Sequence, residues 1–376
     1  MSDDPAGYLC SVLDHIQQHS IRRDTVDWAA LRRDALELAA PAQTTAETYP
    51  AIRLALGRLG DRHSFFVTPE DVQRREEGIA KSAGLAAVYP EGIVVNVFPD
   101  SPAAQAQIHA GDLLEAIDDV PLATLEAGKF YAALWAPVVR LRLRSPGRGR
   151  SRVVTLQAAA FSIVVAPTGH LELPAIVGSA EQVQAYAASA QRVIRELDER
   201  GVGGWVVDLR RNTGGNMWPM LAGAEPILGD GELGAFIFPE NRLPWAYRTG
   251  QALLGPHVLA QVEQPYELKR PLPSVAVLLS RLTASSGELT ALAFAGRPGA
   301  RSFGEPTAGV PTANDATGLP DGAMVCLTIA LGADRTGRTY EGPIVPDQPV
   351  SADWAQYGRA GDPVLQAAVS WVRREL

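Results

Sequence analysis

At roughly 150 residues per domain, a chain of 376 residues should hold two or three domains. Its 46% apolar and 20% charged residues are an ordinary globular composition and exclude disorder. A net charge of −8 argues against a broad nucleic-acid surface, and two cysteines, Cys10 and Cys326, are too few for a disulfide framework or a thiolate zinc site. The basic residues are almost all arginine, with only three lysines: Lys81, Lys129 and Lys269.

The start Met1-Ser2-Asp3-Asp4 has no basic or apolar run, so no signal peptide is visible and a cytoplasmic location is expected. The charge-free stretch Val153 to Leu171 contains Thr155, Gln157, Pro167 and His170 and makes a poor membrane span. Leu9, Val12, Leu13 and Ile16 recur at helical spacing, and Asp27 can cap a helix through Trp28, Leu31 and Leu36. Residues 61–78 are polar and end in Arg74-Arg75-Glu76-Glu77-Gly78.

From about 79 to 158 short strands take over: Ile93 to Phe98, Leu113 to Ile117, Val138 to Leu143 and Val153 to Leu156, with a short helix from Ala103 to Ile108. From 159 strands and helices alternate. A helix over roughly 180–200 leads to strand Trp205-Val206-Val207, and strand Val275 to Leu279 leads to helix Leu289 to Phe294. Such alternation implies a buried sheet flanked by helices. An amphipathic helix, Val364 to Leu376, closes the chain.

Four segments hold chemistry-bearing residues. Asp208-Leu209-Arg210-Arg211-Asn212-Thr213-Gly214-Gly215 ends a strand in a Gly-Gly turn, which can aim N–H groups at developing charge or simply join strand to helix around an Asp208–Arg210 pair. Thr283-Ala284-Ser285-Ser286-Gly287-Glu288 sets a serine at a helix N-terminus, where it can be a nucleophile or half of a capping box with Glu288. Gly60-Asp61-Arg62-His63-Ser64 offers a histidine that can be a general base or a structural residue. Tyr340-Glu341-Gly342-Pro343 puts a carboxylate on a rigid turn, able to orient a histidine or merely to end a hairpin.

In order and spacing, these segments resemble the C-terminal-processing (tail-specific) serine peptidases and the related tricorn core protease. Gly60 to Ser64 is similar to the family's Gly-Asp-x-His-[Ser/Thr] element, and Asp208 to Gly215 to its "DLR-x-N-x-GG". Thr283 to Glu288 resembles "TASASE", with Ser286-Gly287 in place of Ala-Ser. Gly304 to Gly309 resembles "GE-x-T-x-G", while Leu319 to Gly322 and Glu341 to Asp347 resemble "L-x-DG" and "EG-x-x-x-PD". Ser101 to Ala104 and Ala110-Gly111-Asp112 resemble the signature of a PDZ-like insert, with Gln107 where that signature has glycine.

The resemblance implies an α/β, crotonase-like catalytic core with an N-terminal helical region (1–78), a PDZ-like domain (79–158) and a serine peptidase core (159–376). It makes Ser285 the nucleophile. One branch activates this serine with a lysine that would fall at Val310, and no lysine follows Lys269. The tricorn-like branch implies His63 as general base and Glu341 as the carboxylate that orients it. Backbone N–H groups of Gly214, Gly215 and Ser286 are the expected oxyanion hole; Gly84, Leu85 and Ala86 fall where the carboxylate loop of the insert would be, and the insert can equally be a lid with no peptide preference. No cofactor or metal is implied. The expected partner is a peptide or unfolded polypeptide cleaved near its C-terminus, and no oligomeric state follows. Two other functions fit the same residues: a non-catalytic ligand-binding module on this core, and an esterase or peptide-tailoring acyltransferase using the same triad.

Overall fold

The helical spacing of the first sixty residues becomes three capped helices. Pro5–His19 starts on Asp4, whose carboxylate accepts from Gly7 N–H. Trp28–Ala39 starts on Asp27, as the sequence predicts, through Ala30 N–H. Tyr49–Leu59 ends on Gly60 in the left-handed region at φ 70°. The computed structural model describes residues 4–73, 83–97, 101–125, 127–134, 136–145, 150–158 and 170–375.

The three helices bury Leu9, Leu13, Ile16, Leu31, Ile52 and Leu56 around Val325 and Leu327 of strand Met324–Ala333. That strand pairs antiparallel with Phe65–Val67 on one side and Thr312–Gly318 on the other. Asp321, in the turn before it, accepts from the hydroxyls of Tyr8 and Tyr49 at 3.0 and 2.7 Å. The aspartate of the Leu319-Pro320-Asp321-Gly322 segment thus ties two helices to the strands. These parts belong to one compact unit, residues 1–74, 236–243 and 312–332; the remaining residues form a second. The boundary expected at 78/79 falls outside the described residues, and the one expected at 158/159 falls at their edge, since 159 is outside them.

The second unit contains two sheets of opposite character. Strands Leu85–Val88, Ile93–Val97, Leu113–Ile117, Val138–Arg144 and Arg152–Gln157 form an antiparallel sheet in that order, with Val120–Pro121 beside Leu113–Ile117. Val139, Leu141 and Leu143 point into its core while Arg140, Arg142 and Arg144 point out, the period of two that a one-sided sheet requires. The helix expected from Ala103 to Ile108 is shorter, Pro102–Gln105, because Gln107 turns to φ 53°. That conformation is the one glycine adopts without strain, which explains the residue the PDZ-like signature places there.

The other sheet is parallel, in the order Gln348–Pro349, Ala300–Gly304, Ser274–Leu279, Gly204–Asp208 and Leu171–Glu172. Two of its inner strands carry apolar runs, Trp205-Val206-Val207 and Val275 to Leu279, as burial on both faces demands. Val206, Ala276, Leu278 and Phe303 pack against Val364, Ala368, Trp371 and Val372 of helix Pro363–Arg374. Strands Gln251–Leu254 and His257–Gln261, paired antiparallel, are an addition that the βα alternation did not predict. Among the described residues no helix is long and apolar enough to cross a membrane.

One ion network fixes the exit of the central parallel strand. Arg210, 1% exposed, bonds Asp208 at 2.6 Å and Asp362 at 2.8 Å, and Asp362 in turn caps helix Pro363–Arg374. Burial alone would raise the Asp208 pKa, but the Arg210 charge and hydrogen bonds outweigh it and hold the carboxyl well below the usual range. Arg210→Met would strand two buried carboxylates. Chemical denaturation should show a loss of about 3–5 kcal/mol; a loss below about 1 kcal/mol would contradict the role given to this network.

Candidate active site

Parallel topology gathers two of the motifs at one sheet end. Gly204–Asp208 and Ser274–Leu279 are adjacent parallel strands, with Asp208 opposite Leu278. The segments leaving their C-terminal ends are Leu209 to Gly215 and Ser280 to Ser286, and such ends are where open α/β sheets place their sites.

Asn212 joins them. Its carbonyl accepts from Ala284 N–H at 3.0 Å, its Oδ1 accepts from Gly214 N–H at 3.0 Å, and its Nδ2 donates to Leu173. Ser286 Oγ donates to the Gly215 carbonyl at 2.7 Å. A Cβ on Gly214 would lie 2.9 Å from Ser285 Cβ and 3.3 Å from its Oγ. Glycine is therefore required there by the close approach of backbone to the serine.

Ser285 itself sits at φ 51°, ψ −119°, a strained conformation for a residue with a side chain. It immediately precedes helix Ser286–Phe294. Glu288, 0% exposed, holds it there: Oε2 accepts from Ser285 N–H and Val310 N–H at 2.9 Å each, and Oε1 accepts from Gly309 N–H and the Thr307 hydroxyl. The glutamate half of the capping box exists alongside the strained serine, so the structural and functional readings of this segment are not exclusive. Burial pushes the Glu288 carboxyl up, and the four donors restrain that rise.

Not every expected donor faces outward from the turn. The Gly214 N–H is engaged by Asn212 Oδ1, which removes it from the expected oxyanion set. Ser286 follows Ser285 in the chain, and its hydroxyl holds the Gly215 carbonyl. Arg335 closes the far ends of this assembly. Its guanidinium donates to Ala293 at the end of helix Ser286–Phe294 and to Leu228 at the end of helix Met217–Leu228, at 2.7 and 2.9 Å.

Ala86 lies on strand Leu85–Val88, preceded by Gly84, whose carbonyl accepts from Ser101 Oγ. Ala86 and Ile93 pack on a cluster of Val95 and Trp354 that also takes in Tyr357 and Leu282, three residues before Ser285. Arg211, beside Asn212, donates to the Val95 carbonyl and to Glu172 and stacks over Tyr357. Glu341 is exposed, on the turn after Thr339–Tyr340.

His63 is described within the first unit. Asp61 Oδ1 accepts from the N–H groups of His63 and Ser64, and Asn314 Nδ2 donates to the His63 carbonyl at 2.9 Å. The imidazole Nδ1 lies 2.6 Å from Thr312 Oγ1. A neutral hydroxyl thus stands at this ring nitrogen. Neither Thr312 nor Asn314 carries a local sequence signal, because strand pairing brings them to His63. Among the described residues no group of three or more His, Cys, Asp or Glu side chains is placed to hold a metal ion.

Residues 168–350 match the model of peptidase family S41. The chain is 25% identical over 345 residues to the nisin-resistance protein of Lactococcus lactis subsp. lactis, covering 91% of this chain and 82% of that one. It is 26% identical over 347 residues to the chloroplastic carboxyl-terminal-processing peptidase 2 of Arabidopsis thaliana, covering 84% of this chain and 64%, under two thirds, of the plant protein. Among solved structures, a lipoprotein from Streptococcus agalactiae matches with a TM-score of 0.63 at 20% identity, over 100% of this chain and 98% of that one. A photosystem II D1 C-terminal processing protease matches with a TM-score of 0.62 at 22% identity, over 93% and 94%. These two likenesses establish a shared mixed α/β fold.

Burial lowers the His63 pKa from its ordinary value, and the Asp61 carboxylate offsets part of that shift. Titration by NMR should place the His63 midpoint below about 6.5. Asp61→Asn removes the opposing charge and should move the midpoint further down; an upward move would contradict this balance.

Proposed function

We propose that this serine-type peptidase, matched over residues 168–350 by the model of peptidase family S41, cleaves polypeptides through an acyl-enzyme on Ser285. The observation that carries the assignment is the strained Ser285 at the strand-to-helix junction, with glycine backbone against its Cβ. A serine hydroxyl is a poor nucleophile without a base. No lysine occurs after Lys269, and Val310 offers only its amide to Glu288. His63 is then the base.

In the proposed reaction His63 Nε2 takes the Oγ proton as the Oγ–C bond forms. The carbonyl oxygen gathers charge against the N–H groups of Gly215 and Ser286. The imidazolium passes its proton to the leaving amine as the C–N bond breaks. Water then repeats the cycle on the acyl-enzyme, its proton going to His63 and from there back to Ser285 Oγ. Glu341 is given no step in this sequence.

Polypeptide C-termini are the proposed substrate region, supported by the C-terminal-processing relatives. The sheet from Leu85 to Gln157 is read as a PDZ-like insert. Strand Leu85–Val88 lies at one end of its strand order and can accept a peptide as a further strand, with Gly84 to Ala86 at the carboxylate end. The parallel sheet and its helices are read as the crotonase-like core.

Ser285→Ala should abolish labelling by a serine-directed phosphonate and lower kcat on the order of 10⁶-fold. Retained labelling of that variant would sink the assignment. The acid limb of kcat/KM should follow the lowered His63 midpoint, so activity persists below about pH 6.5. A limb at or above that value would remove His63 as the base. Product masses separate hydrolysis, which adds one water to the fragments, from transfer to another acceptor.

A further inference from the structure

The reading of His63 as a base leaves open what fixes its tautomer. A base that works through Nε2 must carry its own proton on Nδ1, and an acceptor at Nδ1 is what enforces that state. We propose that Thr312 is this positioning residue: its Oγ1 accepts from His63 Nδ1–H and holds the ring with Nε2 unprotonated. The inference rests on the proposed role of His63.

Three observations carry it. The Nδ1 to Oγ1 separation of 2.6 Å is a full hydrogen bond. Thr312 is 8% exposed, so water competes poorly for either partner. Both residues are held by backbone: Thr312 opens strand Thr312–Gly318 opposite Leu331, while His63 is fixed by Asp61 through its N–H and by Asn314 through its carbonyl. The ring has little freedom to turn away from the hydroxyl.

A hydroxyl orients the imidazole as a carboxylate does but adds no negative charge to stabilise the imidazolium. Its loss should therefore cost less than loss of a triad carboxylate. Its work is done through the ring and touches no substrate, so its removal should change turnover more than binding.

The test compares Thr312→Val, which keeps the shape and removes the hydroxyl, with Thr312→Ser, which keeps the hydroxyl. On a peptide substrate, Thr312→Val should lower kcat about 10- to 100-fold with KM little changed, and Thr312→Ser should recover most of it. Independently, ¹⁵N spectra of the histidine-labelled wild-type protein should show the His63 proton on Nδ1 at neutral pH. Thr312→Val should shift that population toward Nε2–H. An unchanged kcat in Thr312→Val, no recovery in Thr312→Ser, or a wild-type proton on Nε2 would each overturn the proposal. Ser285→Ala and His63→Ala serve as references. If both keep full activity, the parent reading fails; if both lose it while Thr312→Val does not, only the Thr312 role fails.

Discussion

A fully buried carboxylate, Glu288, organises the segment around Ser285 in the second unit. Charge placed away from water is tolerated only where donors replace the lost solvent. Here two backbone amides and a hydroxyl from the 307–310 loop meet the amide of Ser285 on one carboxylate. A backbone strained at φ 51° persists only if its surroundings over-determine it. The four bonds supply that determination, and they couple the loop after one parallel strand to the junction after its neighbour.

The opposite ends of the flanking helices obey a related economy. Helix Met217–Leu228 follows the Gly214-Gly215 turn and helix Ser286–Phe294 follows Ser285, and carbonyls at the ends of both meet on the guanidinium of Arg335. Cations suit helix C-termini, because the terminal carbonyls lack intrahelical partners and carry partial negative charge. Burial lowers the pKa of that guanidinium, an ordinary result for a cation shielded from solvent. The Gly214-Gly215 turn and the serine are thus set by helices fixed at both ends.

What was legible in the sequence was local. The Asp27 cap, the in-out alternation of Val138 to Leu143 and the buried Val206-Val207 strand follow from neighbours in the chain, and the structure has them. Ser285 and the Gly-Gly turn were legible as motifs, and parallel pairing of their parent strands makes them neighbours. Three features were not legible. Thr312 reaches His63 across 249 positions of chain, so no spacing rule points to it. The Gly214 amide faces an acceptor that only the folded turn of Asn212 supplies. The Asp208–Arg210 pair was open to the sequence, but Asp362, which shares that arginine, and the two tyrosines that Asp321 holds come from far along the chain.

The Val310 amide has one more consequence. What Glu288 needs from this position is an N–H, which every residue except proline provides. The side chain is not part of that bond. Two ways of activating a serine, one with an amine at this position and one with an imidazole from elsewhere, can thus occupy the same frame. Exchanging them would be a change of side chains over the same backbone bonds, so the choice of base is separable from the architecture that strains Ser285.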